Sequence, residues 1–572
     1  MTKAKRGRSF EKSAENTVTT SEGFVAHRDL VDHSSRLKKN FYQVGEKVSC
    51  LVGNGLSNQT FIDAPEGIIA IDTSESNEEM MAAMAQLQQR TTKPIVAVLY
   101  THFHYVAGTQ AVLDAFPDQK IKIYGHEKIA YNRVRTATEI APAYSRGLVE
   151  QFAITLPTEG KDGNVNVGLG RFYRNPEHKT QTNGFIAPTE TFNSACTLKV
   201  AGLEIDVMPA PSDADDSVTY WFKSLGCAVN NLVWPVLFNV FAIRGEEYRD
   251  PRILLTGIDH LLSLSAKHLV GAHGMPISGE QEIFERVTKY RDSIQFLWDQ
   301  TVRLTNRGYT SVELAHSIRL PEFYDDDNLT SEFYGVAEHH VRQIRSGLLG
   351  WFDGDEANLF PLPRIEHSDR MIAGFGGREK VRQQTRDAID NDDLRWACEL
   401  GSWLVNSTDV ENSDKMLLSS VLRLIAQRTT AANIRNWCLA RARHLDETFD
   451  LTRFNRHRVS KKQVIASPVG NSLSALRVLL IPERATRVET HIAFNFSGHK
   501  MSGLHIRNCV AVPTNGVGAE IAVNCTPEIW ADIISGDLKL SVAVETNALT
   551  VTGDKYRALE ALQVFDVENL QL

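Results

Sequence analysis

The chain has 572 residues, of which 42% are hydrophobic and 23% charged, which excludes a disordered protein and allows two to four domains. Its net charge of −8 argues against nucleic acid as the main partner. No run reaches the roughly 18 uninterrupted apolar residues of a membrane span, and the polar amino terminus shows no signal peptide. Seven cysteines without a C-x-x-C pair argue against a disulfide framework or a thiolate zinc site, so we expect a cytoplasmic protein.

The amino-terminal part predicts alternating strands and helices. Three short apolar runs predict strands: Cys50 to Val52, Thr60 to Ile62 and Gly67 to Asp72. Ser76 and Glu79 form a predicted capping box at the start of a helix. The apolar, β-branched run from Pro94 to Tyr100 predicts a fully buried strand, and Ile121 to Tyr124 predicts the next one. This alternation is typical of an α/β layer architecture.

The run from Pro94 to Tyr100 ends in Thr101-His102-Phe103-His104. Two imidazoles at i and i+2 on extended chain point to the same side, so both can reach one metal ion at about 2.0–2.1 Å. Ligands in α/β sheets bind beyond the carboxyl ends of strands, where this pair lies. An isolated H-x-H pair also arises by chance, and that alternative stays open on these residues alone.

Polar residues recur at later predicted strand ends. Residues 157–190 predict a long loop, and a hairpin turning at Ala201-Gly202 follows it. The segment PSDADDS then carries Asp213, Asp215 and Asp216 between two strand-like runs, which indicates either a second ligand cluster or a solvated turn. The short apolar run LVGAHG ends in His273.

The second half of the chain changes character. A helical pattern runs from Glu280 to about Leu445, and it includes GLLGWFDGDEANLFPLP at Gly347 to Pro363. Residues 444–472 predict a charged linker. A compact α+β unit follows, with a strand through Val488 to Phe496 and a second alternating strand through Leu538 to Val544.

THFH after a buried strand resembles the H-x-H-x-D-H motif of the metallo-β-lactamase superfamily. More narrowly, the domain order and the GLLGWFDGDEANLFPLP segment resemble the alkylsulfatase branch of that superfamily. The resemblance implies a metallo-β-lactamase-like αββα sandwich (residues 23–279), an all-α dimerisation domain (280–445) and an α+β sterol-carrier-protein-like domain (473–572). This chain departs from the motif. Without a gap, Val106 and Ala107 stand where the motif has its Asp and His; with a two-residue gap after Tyr105, which restores the helix register and which we favour, the Asp-His pair is absent.

The resemblance also implies site residues. It assigns His102, His104, Asp213 and His273 as metal ligands and places Arg244 and Asn231 at the substrate, with Asn231 where the family has a metal-bridging Glu. The family holds two zinc ions, and the missing ligands lead us to expect one per chain. No catalytic residue is assigned.

These features predict a zinc-dependent hydrolase of alkyl sulfate esters with a divergent or mononuclear site. The expected partners are a small amphiphilic substrate such as an alkyl sulfate and a second copy of the chain. The alternative is a catalytically silent dimeric homologue that binds amphiphiles through its carboxyl-terminal domain. A β-lactamase-like or thioester hydrolase is a third, weaker alternative.

Overall fold

The computed structural model of the protein describes residues 11–137, 139–455, 461–466 and 469–571. The chain divides into two compact units, one formed by residues 1–130 and 146–451 and the other by residues 131–145 and 452–572. Within the described residues, no helix is both long and apolar enough to cross a membrane.

The first unit begins with a small hairpin of β1 (Thr17–Thr19) and β2 (Val25–His27). Its first large sheet has the strand order β3-β4-β5-β6-β7-β8-β9 in the described part of the chain. These strands are β3 (Asn40–Val44), β4 (Val48–Val52), β5 (Gln59–Ala64), β6 (Gly67–Ile71), β7 (Ile95–Leu99), β8 (Lys122–His126) and β9 (Glu190–Phe192). The strands from β6 to β9 pair in parallel, so β6, β7 and β8 end at one edge. The predicted strands around Cys50, Thr60, Gly67 and Pro94 are confirmed.

The second large sheet follows in chain order, β10 to β15. Its strands are β10 (Cys196–Val200), β11 (Leu203–Pro209), β12 (Val218–Phe222), β13 (Cys227–Asn230), β14 (His268–Gly271) and β15 (Ile277–Ser278). Strands β10 and β11 form the predicted hairpin, since Val200 pairs with Leu203 across Ala201-Gly202. Only one pair of neighbours in this described sheet, β13 with β14, is parallel.

The two sheets pack face to face with helices on their outer faces. The early helices of this unit are α1 (Arg28–His33), α2 (Asn77–Gln88), α3 (Thr109–Ala115) and α6 (Pro251–Ser263), while α4 (Ile129–Ala137) and α5 (Ala141–Gln151) are divided between the two units. A buried cluster that includes Cys50, Ile62 and Tyr220 fills the space between the sheets. Met80 of α2 and Val112 of α3 cover the outer face of the first sheet, and Leu254 of α6 covers the second. The αββα sandwich is therefore confirmed, with its site edge where β6, β7, β13 and β14 end.

Helices dominate from Glu280 to Leu445, as predicted. They are α7 (Glu280–Thr305), α8 (Ser311–Ser317), α9 (Ala337–Leu349), α10 (Arg364–Gly374), α11 (Arg378–Asp390), α12 (Leu394–Val405), α13 (Asn412–Arg428) and α14 (Ala432–Leu445). One hydrophobic cluster joins Ile258 of α6, Val287 of α7 and Val421 of α13, so this helical part packs in the same compact unit as the sandwich. The predicted bounds of the three domains stay a prediction.

The second unit holds a five-stranded sheet in its described residues, in the order β18-β17-β16-β19-β20. The strands are β16 (Thr490–Phe496), β17 (Ser502–Arg507), β18 (Val510–Thr514), β19 (Ile521–Cys525) and β20 (Thr550–Thr552). Its helices are α15 (Lys461–Ala466), α16 (Val469–Leu476), α17 (Pro482–Ala485), α18 (Pro527–Ser535), α19 (Leu540–Glu545) and α20 (Lys555–Leu562). The predicted strand at Val488 to Phe496 is confirmed as β16.

Two predictions for this part of the chain are wrong. Residues 538–544 do not form a strand, because Leu540 and Ala543 are both fully buried three positions apart while Val542 is 41% exposed, which is the burial period of helix α19. The predicted linker at 444–472 contains all of α15 and the start of α16. Residues 456–460 and 467–468 of that linker lie outside the described residues.

Candidate metal centre

Three predicted ligands meet just beyond the end of β7. His102 is fully buried, and its ring centroid lies 5.0 Å from that of His104 with an interplanar angle of 83°. Asp213, from the loop between β11 and β12, places its Oδ2 atom 3.2 Å from His104 Nδ1. One ligand atom from each of the three side chains lies within 4.8 Å of the others. Among the described residues, His102 Nε2 and both ring nitrogens of His104 have no hydrogen-bond partner, so the set fits one cation with nitrogen and carboxylate ligands.

A hydrogen-bonded relay fixes the orientation of His102. Asp72 follows β6 with φ 58°, and its carboxylate accepts hydrogen bonds from Thr101 N (2.8 Å) and Thr101 Oγ1 (2.6 Å). Because the Thr101 hydroxyl donates to Asp72, it accepts from His102 Nδ1, 2.8 Å away. That tautomer leaves a lone pair on His102 Nε2, which is the form that binds a metal. Burial lowers the pKa of His102 to about 3 and keeps the ring neutral.

Tyr105 separates the fourth predicted ligand from the other three. Its ring stands edge-on to His102 (centroids 5.0 Å apart) and to His273 (5.1 Å). His273 Nδ1 lies 3.0 Å from the carbonyl of Leu56 and donates to it, so Nε2 accepts the hydrogen bond from the Tyr105 hydroxyl at 3.2 Å. Burial lowers the pKa of His273 to about 4. The His273 nitrogen that would face a second ion is therefore occupied by a phenol.

Asn231 has both ends of its amide engaged. Its Nδ2 donates to Asp213 Oδ1 at 2.6 Å, and its Oδ1 accepts from Trp234 Nε1 at 3.2 Å. The position that holds a bridging carboxylate in the resembled family thus holds an amide that orients Asp213. A second ion does not fit this arrangement, because His273 and Asn231 already have protein partners and the Asp-His pair is missing.

Arg244 is buried and carries an ion pair rather than a free charge. Its Nη2 atom lies 3.1 Å from Glu246 Oε1, and both side chains are about 95% buried. Its guanidinium carbon lies 5.9 Å from the centre of the Phe152 ring. The structure therefore brings His102, His104, Asp213 and Asn231 into direct contact or close range, while His273 lies behind Tyr105 and Arg244 lies against Glu246.

Sequence reasoning missed several residues of this site. Tyr105 and Thr101 flank the histidines but carry no pattern of their own, and Asp72 was visible only as the polar end of a predicted strand. Arg249 is also buried here, and its guanidinium carbon lies 5.9 Å from the centre of the Trp234 ring. Burial opposes the charge of Asp213, but His102, His104 and Arg249 outweigh it and hold the pKa of that carboxyl well below its usual value.

An αββα sandwich with a histidine–carboxylate cluster at the carboxyl ends of its strands is the arrangement of a metallo-β-lactamase-like hydrolase. A family model described as alkyl sulfatase dimerisation matches residues 310–448. A linear primary-alkylsulfatase from a Pseudomonas species is 30% identical over 528 residues, which cover 89% of this chain and 98% of the relative. An alkyl/aryl-sulfatase of Saccharomyces cerevisiae is 24% identical, covering 96% of this chain and 85% of the relative.

A solved structure agrees with the fold over nearly the whole chain. The stereoselective inverting sec-alkylsulfatase Pisa1 from a Pseudomonas species superposes with a TM-score of 0.84 at 22% identity, covering 97% of this chain and 88% of that one. The chain belongs to the alkylsulfatase family.

Proposed function

We propose that the protein hydrolyses alkyl sulfate esters with one zinc ion per chain, held by His102, His104 and Asp213. The observation that carries this proposal is the set of buried imidazole nitrogens of His102 and His104 that have no hydrogen-bond partner in the described chain and lie beside Asp213. The names of the relatives support the substrate class. A bound zinc ion would lower the pKa of a water molecule that it binds, and it would attract the negatively charged sulfate group of the ester. Our assignment of His273 as a ligand stays a prediction that requires its bond to Tyr105 to open.

The protein's own groups have separate tasks in this proposal. Asp72 and Thr101 hold His102 in the metal-binding tautomer, and the Asn231 amide orients Asp213. The buried walls formed by Tyr105 and Trp234 exclude water from the cluster, which strengthens its electrostatic interactions. Asn231 also stays a predicted substrate-binding residue.

Metal analysis and turnover on one preparation test the proposal. The purified protein should contain about one zinc per chain, and a chelator should remove both the metal and the hydrolysis of octyl and dodecyl sulfate. Restoring zinc should restore both. Protein that lacks metal after zinc loading, or that hydrolyses alkyl sulfates equally well without it, would contradict the proposal.

The second candidate is a catalytically silent homologue that binds amphiphiles, and the Tyr105–His273 hydrogen bond is the observation that favours it. The carrier site would lie in the second unit, where an open groove passes Phe496, Cys525 and Ala548. Full-length protein should then bind a fluorescent acyl probe that octyl sulfate displaces. Ala548→Trp should block uptake, and Val542→Trp, at an exposed site outside the groove lining, should not. The sterol-carrier-like assignment and the cytoplasmic location stay predictions.

A homodimer is the third part of the proposal. Residues 350–363, between α9 and α10, lie within the segment that matches the dimerisation family and carry exposed aromatic side chains. Trp351 is 74% exposed and Phe360 is 89% exposed, which is unusual for large apolar side chains of a monomer. An obligate interface would bury on the order of 2,000 Å² or more. Light scattering should give twice the chain mass of 63.9 kDa, and Trp351→Ser with Phe360→Ser should return it to one.

A further inference from the structure

Near the metal centre, two neighbouring buried side chains, Arg249 and Asn239, each have one N–H group without an acceptor in the described chain. Arg249 is 6% exposed and Asn239 is fully buried. Arg249 Nη1 donates to the carbonyl of Asn239 at 2.9 Å and also to its side-chain oxygen Oδ1. Within the described chain, Arg249 Nε and Asn239 Nδ2 have no hydrogen-bond partner. The contact between these two side chains thus leaves an unsatisfied N–H donor on each.

Arg249 also lacks a direct ion-pair partner, while Asp213 and Glu246 act on its charge from a greater distance. Arg244 has Glu246 at 3.1 Å, whereas no carboxylate oxygen of the described residues lies within 4.0 Å of the Arg249 guanidinium. The Trp234 and Phe238 rings lie 5.9 and 5.8 Å from its guanidinium carbon. Buried charges and buried donors are normally paired, because an unpaired one loses its hydration without compensation. An anion that enters the site would supply both a direct ion-pair partner and the missing acceptors.

The pair lies on the side of the metal centre. Trp234 contacts the Arg249 guanidinium with its ring and donates through Nε1 to Asn231, which in turn donates to Asp213. Arg249 also contributes to the low pKa of Asp213. The chain of contacts from Arg249 to Asp213 therefore passes through two side chains.

We propose that Arg249 and Asn239 bind the sulfate group of the substrate. This inference rests on the proposed function and specifies which residues recognise the anionic head group. A sulfate ester carries one negative charge spread over three oxygens, which accept N–H bonds from a planar guanidinium and from an amide. Arg249 therefore selects anionic esters over neutral ones. Its positive charge has no direct ion-pair partner, whereas the charge of Arg244 is paired with Glu246.

Binding of inorganic sulfate to full-length, zinc-loaded protein tests the pair without turnover. Arg249→Met should weaken sulfate binding, followed by calorimetry, at least tenfold, and Asn239→Leu should weaken it several-fold. Arg249→Lys keeps the charge but loses the planar fork, so it should fall between Arg249→Met and the unaltered protein. Arg435→Lys is the matched control, because Arg435 is fully buried, donates to the carbonyls of Gly163 and Val25, and has an Nε without a partner in the described chain. It should bind sulfate normally.

Steady-state kinetics give the second readout. For octyl sulfate, Arg249→Lys should raise KM more than it lowers kcat, while zinc content stays unchanged. If the unaltered protein binds no sulfate, or if folded Arg249→Lys and Asn239→Leu both bind it normally, the inference is wrong. If sulfate binding depends on Arg249 but no alkyl sulfate is hydrolysed, the inference holds and the proposed function fails. Circular dichroism of each variant identifies any that does not fold, and the remaining variants then decide.

Discussion

The two sides of the site differ in how their buried polar groups are satisfied. On one side, His102 and His104 hold nitrogens without hydrogen-bond partners close to Asp213 in the described chain. On the other side, His273 accepts from Tyr105, and Asn231 is bonded at both ends of its amide. Buried polar groups are nearly always paired, so an unpaired cluster marks the place where a ligand belongs. The comparison teaches that protein hydrogen bonds occupy His273 and Asn231, whereas the nitrogens of His102 and His104 stay open to a ligand.

The largest expected effect separates the two sides directly. His102→Ala should abolish zinc binding and hydrolysis, because it removes one of three ligand groups at the open side. His273→Ala should retain about one zinc per chain, since His273 Nε2 is bonded to Tyr105. Metal content by mass spectrometry checks both variants. Equal loss of zinc in the two would show that His273 is a ligand and would remove the distinction.

A second metal position should be recoverable. Inserting Asp-His between Tyr105 and Val106, together with Tyr105→Ala and Asn231→Glu, rebuilds the H-x-H-x-D-H ligand set and frees His273. A second ion contributes several kcal/mol of transition-state stabilisation, and each 1.36 kcal/mol is tenfold in rate, so a gain of about a thousandfold is expected. Zinc stoichiometry should approach two. The insertion without Tyr105→Ala serves as the control and should gain less, because the phenol still occupies His273.

The relay behind His102 should affect metal affinity by a smaller amount. Thr101→Val removes the hydroxyl between Asp72 and His102 Nδ1, and the loss of such a supporting group typically costs about 10–100-fold in metal affinity. Thr385→Val is the matched control, because Thr385 is also fully buried but donates within α11 to the carbonyl of Val381. Competition against a chromogenic chelator measures both. Unchanged affinity in Thr101→Val would mean that packing alone orients His102.

The smallest expected effect is on the side of the site where His273 and Asn231 have protein partners. Tyr105→Phe removes the donor to His273 and leaves a buried acceptor unsatisfied, which should cost about 1–3 kcal/mol of stability. Its zinc content should stay at about one per chain. Denaturant unfolding of the zinc-loaded protein measures the change. A stability equal to that of the unaltered protein would indicate that the hydrogen bond contributes nothing net.

Much of the sandwich could be predicted from local pattern. The strands around Cys50, Thr60 and Pro94 have apolar runs bounded by turn residues. Such runs are local signals that predict a strand without knowledge of distant contacts. His102 and His104 were visible because they closely follow a buried strand. The prediction that they lie on extended chain is wrong, because β7 ends at Leu99 and the two histidines lie in the bend and turn that follow it, so this loop and not a strand spacing brings their rings together. The prediction for Leu538 to Val544 is wrong because the alternation of apolar residues there fits a strand. Packing of Leu540 and Ala543 in the core of the second unit instead favours helix α19.

The rest of the site depends on contacts between distant segments. Tyr105 and His273 are 168 positions apart in the sequence, and no local signal couples them. Arg249 resembles any charged residue before a helix until Asn239 and Trp234 are seen around it. Arg244 was favoured by resemblance, yet its ion pair with Glu246 becomes visible only when both are folded and buried.

With a metal ion at the open nitrogens of His102 and His104, as we propose, the lifetime of the chain would also depend on the supply of that metal. An ion that binds the folded chain and not the unfolded one stabilises it by about 4.1 kcal/mol when present at 1,000 times its dissociation constant. A cell short of that ion would hold more of the chain unfolded and accessible to proteases. The abundance of the protein should then follow metal availability, independent of any change in the expression of its gene.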